Sequence, residues 1–174
     1  MAKIRNLLGA LLILASSNVN PIQNDYLEQK ILEYSSNKQS FIVVKKSDYK
    51  LDFYDYGKLT KSYPVSLGKY GDLADKQEAG DYRTPEGILK IEDKAIGSTY
   101  RKCRNGKGIE KNPYGTRWMR LYSDKGWKGL GIHGSSVAVR ECKSSTLGCV
   151  ALDNKDIEEF YDRAYVGMKV IIEH

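Results

Sequence analysis

The sequence predicts a mainly β fold with α, a β-meander or sandwich that carries one long helix after Cys149. The first observation is that, from Phe41 onward, short runs rich in β-branched and aromatic residues recur between turn signals. The second is that one segment after Cys149, residues 153–164, has apolar residues at the spacing of a helix. The third is size, because 174 residues of which 41% are hydrophobic suffice for one domain with one core.

The amino terminus has the pattern of a secretory signal at residues 1–17. Lys3 and Arg5 precede an apolar run at 7–14, and small residues suited to cleavage follow at 15–17. The run is shorter than the roughly 20 apolar residues that a spanning helix needs, so we expect a signal and not a membrane anchor. The alternative is a short buried helix at an intact amino terminus.

Residues 18–39 are expected to form a spacer with a short helix, and residues 40–174 the single main domain. Apolar residues at helical spacing predict the helix at 25–34, and Asn24 can cap it. We expect no second domain.

Seven strands are predicted in the main domain, at residues 41–44, 51–56, 62–67, 88–91, 117–122, 130–132 and 168–172. The first three are separated only by turn signals and predict a meander of hairpins. A glycine-rich charged loop at 68–83 leads into a tight turn, Thr-Pro-Glu-Gly at 84–87. The long irregular segment at 93–116 predicts a substrate-facing lid, and the alternative is a solvated basic surface loop.

The helix after Cys149 is the clearest element of the sequence. Asp153 or Asn154 can cap it, and acidic residues in its first turns suit the positive end of the helix dipole. Its apolar residues share one face and are expected to pack on the sheet, and Gly167 ends the helix. These apolar residues are Ile157, Phe160, Tyr161 and Ala164.

The net charge is modest. It is +6 for the whole chain and falls to +4 when Lys3 and Arg5 leave with the signal. The basic residues are spread among acidic ones and form no stripe, so the charge pattern argues against a nucleic-acid partner. A small positive excess suits an anionic cell wall or cell surface.

The only internal histidine, His133, and the cysteine Cys149 lie a short loop apart, each beside a glycine. A thiolate is far more reactive than a thiol, and an imidazole within hydrogen-bond reach can take the proton from Cys149 and later give one to a leaving amine. The pair therefore predicts acyl transfer. The alternative is structural, with a small buried thiol and a histidine satisfied by its surroundings.

The neighbours of this pair are predicted to position it. Residues 130–132 read as a short buried strand that holds His133 on a rigid edge, and Gly134 with the serines after it forms the exit loop. Gly148 allows a close backbone approach, so the amides of Gly148 and Cys149 can point at a developing oxyanion.

Three cysteines in an exported protein allow one disulfide and one free thiol. If Cys149 is the free thiol, Cys103 and Cys142 are the candidates for the disulfide. A zinc site is disfavoured because the cysteines include no close C-x-x-C pair and His133 is the only suitable nitrogen ligand.

Six short motifs occur in order from the third predicted strand to the carboxyl end. They are Tyr-Pro-Val-Ser-Leu-Gly at 63–68, Thr-Pro-Glu-Gly at 84–87, Asn-Pro-Tyr-Gly at 112–115, Ile-His-Gly at 132–134, Ser-Thr-Leu-Gly-Cys-Val at 145–150 and a Val-Gly turn at 166–167. In this order they resemble the YkuD-type L,D-transpeptidase catalytic domain family of bacterial cell-wall enzymes, and the resemblance covers nearly all of the main domain.

The resemblance implies the role of each residue in the pair. Cys149 would be the nucleophile, His133 the base and then the acid, and a backbone carbonyl of Gly134 or Ser135 would orient the imidazole. The implied substrate is the peptide stem of peptidoglycan. The thiolate attacks the carbonyl of the third stem residue, the terminal D-alanine leaves, and a thioester forms. An amine then resolves the thioester to a cross-link, or water resolves it to a shortened stem, with no metal or organic cofactor.

Substrate and oxyanion contacts are expected, by the same resemblance, at five residues. These are Tyr114, Arg117, Ser135, Leu147 and Gly148. The chain departs from the family pattern at Leu147, where histidine or arginine is common, and at Ala151, where arginine or asparagine is common. A similar alanine occurs in the YafK-like branch of the family, which includes hydrolases. The missing cation can be replaced by Arg101, Arg117 or Arg140, and the sequence does not rank them.

The sequence therefore predicts an exported cysteine L,D-transpeptidase that acts in the periplasm or cell wall. One alternative is a hydrolase of the same fold, either an L,D-carboxypeptidase or an enzyme that releases a wall-linked lipoprotein. A second is a non-catalytic wall-binding protein, and a third is an anionic-polymer binder that uses the basic residues at 101–111. We expect no nucleic-acid partner and no stable membrane span once the signal is cleaved.

Overall fold

The computed structural model describes residues 21–69, 73–97, 113–135 and 137–174. The predicted signal, most of the predicted lid and Cys103 lie outside these residues. The expectations about them, including the Cys103–Cys142 disulfide, therefore stay predictions. Within the described ranges, no helix is both long enough and apolar enough to cross a membrane.

Two helices and ten strands make up the described part of the chain. The helices are α1 (Pro21–Ser36) and α2 (Asn154–Arg163). The strands are β1 (Phe41–Lys45), β2 (Lys50–Asp55), β3 (Lys58–Pro64), β4 (Leu67–Gly68), β5 (Gly87–Ile96), β6 (Arg117–Tyr122), β7 (Gly131–Ser135), β8 (Ser144–Thr146), β9 (Val150–Asp153) and β10 (Lys169–Glu173). The predicted mainly β fold is confirmed, with α2 after Cys149, although the longer helix is α1.

Eight strands form one mixed sheet in the order β3-β2-β1-β10-β5-β6-β7-β9, and β4 pairs with β8 in a small separate sheet. The predicted meander of β1, β2 and β3 is confirmed. The last strand, β10, enters the middle of the sheet, parallel to β1 and antiparallel to β5. On the far side of β5 and β6, strand β7 runs parallel to β9.

The two helices cover opposite faces of the sheet. Helix α2 packs on β6, β7 and β9, and α1 packs on β10 and β5. On the α1 face, Leu27 contacts a small buried cluster that includes Phe41 and Val43, whereas Ile42 and Val44 belong to the main core with α2. Because successive strand residues point to opposite faces, the first four residues of β1 are apolar and buried on both sides of the sheet.

Helix α2 is fixed to the sheet by Ile157 and Phe160, which are both fully buried. The ring of Phe160 meets the rings of Phe53 and Tyr63 edge-on, with centroids 5.8 Å apart in each pair. The helix ends at Arg163 and the chain continues in extended conformation, so Gly167 lies in the following turn and does not end the helix.

The predicted helix caps need correction. Helix α1 begins at Pro21, where the missing N–H of proline costs nothing, so Asn24 lies inside the helix and does not cap it. Asp153 occupies the N-cap position of α2 but makes no side-chain cap hydrogen bond. Its carboxylate instead accepts a hydrogen bond from the amide of Val139, at 2.9 Å.

The predicted tight turn at 84–87 is wrong, because this segment is extended and Gly87 opens β5. Several contacts hold Glu86 in place. Among them, its carboxylate accepts a hydrogen bond from the Lys46 ammonium at 2.9 Å, and its amide donates to the Asp75 carboxylate at 2.6 Å. Lys46 and Glu86 are both buried, so this ion pair outweighs the local preference for a turn. Strand β5 also runs to Ile96 and takes up the start of the predicted loop.

Candidate active site

His133 lies within β7, which is flanked by β6 and β9. In the strand register it faces Trp118 of β6 on one side and Ala151 of β9 on the other. Cys149 precedes Ala151 by two residues, so it is a diagonal neighbour of His133 on the same face of the sheet. The register thus places the two predicted residues at neighbouring positions of adjacent chain segments. The structure corrects their setting, because β7 is not an edge strand and Gly134 and Ser135 belong to it.

One hydrogen bond fixes the tautomer of the histidine. Nδ1 of His133 lies 2.7 Å from the carbonyl oxygen of Gly134. A carbonyl oxygen can only accept, so Nδ1 carries the proton and Nε2 keeps its lone pair. Of the two predicted carbonyls, the one that orients the ring is that of Gly134.

Two aromatic rings enclose the imidazole. The indole of Trp118 stacks on it at 5.7 Å between centroids, and the ring of Tyr114 meets it edge-on at 5.2 Å. His133 is 6% exposed as a result. Burial lowers the pKa of His133, and the hydrogen bond to Gly134 opposes this only in part. The imidazole is therefore neutral at pH 7 and can accept a proton at Nε2.

Two glycines of β7 make room for these neighbours. A Cβ at position 131 would lie 2.5 Å from Cη2 of Trp118, so only Gly131 lets the indole lie across the strand. A Cβ at position 134 would lie 2.4 Å from Oδ1 of Asn154, at the first turn of α2. The glycine next to the histidine is thus needed for packing as well as for its carbonyl.

The thiol of Cys149 is buried and protonated at rest. Its Sγ lies 3.5 Å from the carbonyl oxygen of Gly129, to which it donates. Burial raises the pKa of Cys149 to about 11, with the amide of Gly131 acting weakly in the opposite direction. At neutral pH the site therefore holds a neutral thiol beside a neutral imidazole, without a thiolate formed in advance.

Thr146 organises the turn that carries Cys149. Its hydroxyl donates to the carbonyl oxygen of Cys149 at 2.7 Å and accepts from the amide of Gly148 at 3.2 Å. The Gly148 amide thus donates to Thr146 in this structure, and its oxyanion role stays a prediction. Gly148 has φ +112, and a Cβ there would lie 2.8 Å from the carbonyl oxygen of Arg83.

The remaining predicted contacts are scattered. The side chain of Leu147 is half-exposed beside the turn. The Ser135 hydroxyl donates to the carbonyl of Val137 at 2.7 Å. Arg117 lies over the ring of Tyr161, on the α2 face of the sheet, so the structure does not bring it to His133. Arg140 lies in a separate cleft with Tyr49, and Arg101 is outside the described residues.

A cleft of about 510 Å³ is lined in part by residues that contact His133 or Cys149. Tyr114 and Trp118, which enclose His133, form part of its wall, and Gly129, which holds the Cys149 thiol, forms another part. Its charged lining residues are Glu92, Arg120 and Lys128. Sequence reasoning missed Trp118 and Arg120. The predicted strand at 117–122 contained the necessary information, because residues two apart in a strand share a face and Trp118 and Arg120 are two apart.

The sequence model of the YkuD L,D-transpeptidase catalytic domain matches residues 39–172. "Putative L,D-transpeptidase YqjB" of Bacillus subtilis (strain 168) is 30% identical over 76% of this chain and 70% of its own length. "Putative L,D-transpeptidase YafK" of Escherichia coli (strain K12) is 28% identical over 84% of this chain, and this chain spans about half of it, 54%.

Solved structures show the same fold. The Enterococcus faecium L,D-transpeptidase C442S mutant superimposes with a TM-score of 0.56 at 20% identity, over 76% of this chain and 49% of that one. The L,D-transpeptidase from Mycobacterium smegmatis superimposes with a TM-score of 0.57 at 16% identity, over 78% of this chain and 58% of that one. The family match, the relatives and the fold agree, and this chain belongs to the YkuD-type L,D-transpeptidase catalytic domain family.

Proposed function

We propose that this chain is an exported cysteine acyltransferase that acts on peptidoglycan stem peptides through a thioester on Cys149. The observation that carries the proposal is the hydrogen bond from Nδ1 of His133 to Gly134. It leaves Nε2 as a base on the face of the sheet that also carries Cys149.

The reaction begins with attack of Sγ of Cys149 on the carbonyl carbon of the stem peptide. The thiol proton passes to Nε2 of His133, and the carbonyl electrons move to oxygen to give a tetrahedral intermediate. The carbon–nitrogen bond then breaks, the proton on Nε2 goes to the leaving amine, and the acyl group remains on sulfur as a thioester. An acceptor amine attacks the thioester carbonyl and loses its proton to Nε2. The carbon–sulfur bond then breaks, and Nε2 returns the proton to sulfur, which restores the free thiol.

The neutral resting state sets how the nucleophile forms. Because burial raises the pKa of Cys149 and lowers that of His133, both groups are neutral before attack, and the thiol proton passes to Nε2 when the substrate is bound. The sulfur must also leave the carbonyl of Gly129 to reach the substrate. A neutral thiol protects the enzyme from oxidation and alkylation between turnovers, since the thiolate is the reactive form.

The thioester can also be resolved by water, and the product distinguishes transferase from hydrolase. Purified tetrapeptide muropeptides are incubated with the protein and analysed by mass spectrometry. We expect loss of D-alanine and cross-linked dimers, and an acyl adduct on Cys149. Tripeptides alone would make the protein a carboxypeptidase, and no change with folded protein would contradict the proposed chemistry.

Cys149→Ala should abolish both the adduct and the products. Cys142→Ala is the matched control, because Cys142 is a half-buried thiol outside the site. A β-lactam probe gives an independent readout of the nucleophile. L,D-transpeptidase 3 from Mycobacterium tuberculosis has been solved with a faropenem-derived adduct, and we expect a faropenem-derived adduct on Cys149 here. Loss of the adduct in Cys142→Ala but not in Cys149→Ala would refute the assignment.

Export is part of the proposal and is supported by the basic and apolar pattern at residues 1–17. The expected mature chain begins near residue 18, with the spacer preceding a catalytic domain at 40–174. Amino-terminal sequencing of protein recovered from outside the cytoplasmic membrane tests this. Recovery of the intact amino terminus in the cytoplasmic fraction alone would refute it.

A further inference from the structure

Strand β6 presents one arginine to the cleft. Successive residues of a strand alternate between faces, so Trp118 and Arg120 share the face that carries His133, and Arg117 does not. Arg120 lines the cleft together with Trp118, and its side chain is exposed there. Lys128 also lines the cleft, and among the described lining residues the only acidic one is Glu92. The described charged residues of the lining therefore carry a net positive charge.

The register places Arg120 level with the nucleophile. Arg120 of β6 pairs with Gly131 of β7. One residue farther along β7, Ile132 pairs with Val150 of β9, so Cys149, which precedes Val150, lies beside Gly131 on the side away from β6. Arg120, Gly131 and Cys149 thus form a row across three strands, with backbones about 10 Å apart from first to last. The indole of Trp118 fills the space above Gly131 between them.

A cation cannot be placed two residues after the nucleophile, where the family commonly has one. Ala151 is 2% exposed, and its amide and carbonyl both pair with Ser66, at 2.8 and 2.9 Å. It also faces His133 in the register. An arginine there would have to displace packed neighbours, so position 151 supplies no positive charge to the site.

We propose that Arg120 binds the carboxylate at the end of the donor peptide, with Lys128 adding a second positive charge. This inference rests on the proposed function. In a donor that loses its last residue, the terminal carboxylate lies one residue, about 3.8 Å of chain, beyond the carbonyl that Cys149 attacks. A guanidinium can meet both carboxylate oxygens at once, which fixes the donor in register with the sulfur.

The contact makes the enzyme selective for donors that end in a free carboxylate. A hydrogen-bonded charge pair of this kind corresponds to a selectivity of about 10- to 100-fold over a donor with a neutral terminal amide. Arg120→Gln should remove most of that selectivity, because glutamine can bond either end group. Arg120→Lys should retain part of it, since a lysine keeps the charge but not the two-point geometry.

The test compares two tetrapeptide donors, one with a terminal carboxylate and one with a terminal amide, by the rate at which each acylates Cys149. The proteins are the wild type, Arg120→Gln, Arg120→Lys, Arg117→Gln and Lys58→Gln. Lys58 is exposed on the far edge strand β3, so its variant controls for loss of one positive charge. Melting temperatures of all variants establish that each is folded.

We expect the wild type and Lys58→Gln to prefer the carboxylate donor, and Arg120→Gln to act on both donors at similar rates. An unchanged preference in folded Arg120→Gln, or its loss in Arg117→Gln instead, would overturn the inference while leaving the proposed function intact. Failure of the wild type to be acylated by either donor would refute the proposed function itself. The two failures are therefore distinguishable.

Discussion

Substitution of Gly134 by alanine tests whether packing behind β7 positions the histidine. The added Cβ would lie 2.4 Å from Oδ1 of Asn154, about 1 Å closer than an ordinary contact, and 3.0 Å from the amide nitrogen of Thr116. Oδ1 of Asn154 accepts a hydrogen bond from that amide at 3.0 Å, so relief of the clash breaks this bond. The cost is about 1–3 kcal/mol for overpacking and about 1 kcal/mol for the hydrogen bond.

The expected loss in the free energy of unfolding is therefore about 2–4 kcal/mol, or a fall in Tm of about 6–12 °C for a domain of this size. Acylation should slow as well, because a shifted Gly134 carbonyl no longer holds Nδ1 of His133. The assays are denaturant unfolding and the rate of acylation by a β-lactam. The double variant Gly134→Ala/Asn154→Ala removes the nearest atom and should recover at least about 1 kcal/mol relative to the sum of the single changes. An unchanged Tm in Gly134→Ala, or additive single effects, would refute the reasoning.

Three further outcomes are expected. Burial lowers the pKa of His133, and the proposed reaction needs the neutral imidazole. The acylation rate should therefore stay constant as pH falls to 6.5 and decline only below that value. A decline in the pH–rate profile centred above 6.5 would contradict this. Lys46→Met leaves the buried Glu86 carboxylate without the Lys46 ammonium and should lower the free energy of unfolding by about 3–5 kcal/mol, measured by denaturant unfolding. The double variant Lys46→Met/Glu86→Leu should recover much of this loss. Equal losses in the two variants would contradict the ion-pair explanation. Phe160→Ala removes two edge-on ring contacts in the core and should cost about 3–5 kcal/mol, and a loss under 1 kcal/mol by the same measurement would mean that the site collapses to fill the cavity.

Local sequence patterns were sufficient to predict most of the helices and strands. Turn residues between alternating strands predicted the meander, and the apolar face of α2 predicted its packing, because both patterns depend on near neighbours in the chain. The segment at 84–87 shows where such reasoning stops. Its turn residues are overridden by the buried Lys46–Glu86 pair, whose members are 40 residues apart. No local pattern contains that contact.

The candidate site likewise contains residues that local sequence patterns predict and residues that only the folded structure identifies. His133 and Cys149 were found from residue type and spacing, since few residues can act as nucleophile and base. The cleft residues required the strand register. Arg117 and Arg120 are equivalent in composition and near each other in sequence, and only the pairing of β6 with β7 shows that Arg120 faces the cleft. The bond between Thr146 and the Gly148 amide likewise depends on the folded turn.

The core and the candidate site lie on opposite faces of the same strands. Helix α2 covers β6, β7 and β9 on one face, so Met119, Ile132 and Val150 of those strands are core residues. On the other face, helix α1 packs on β10 and β5 and also contacts the buried cluster of Phe41 and Val43 in β1. Alternation along each strand places Trp118 and His133 on that face. One set of strands thus supplies core residues on one side and the candidate site residues on the other. Changes in the cleft residues should therefore alter substrate choice more than stability.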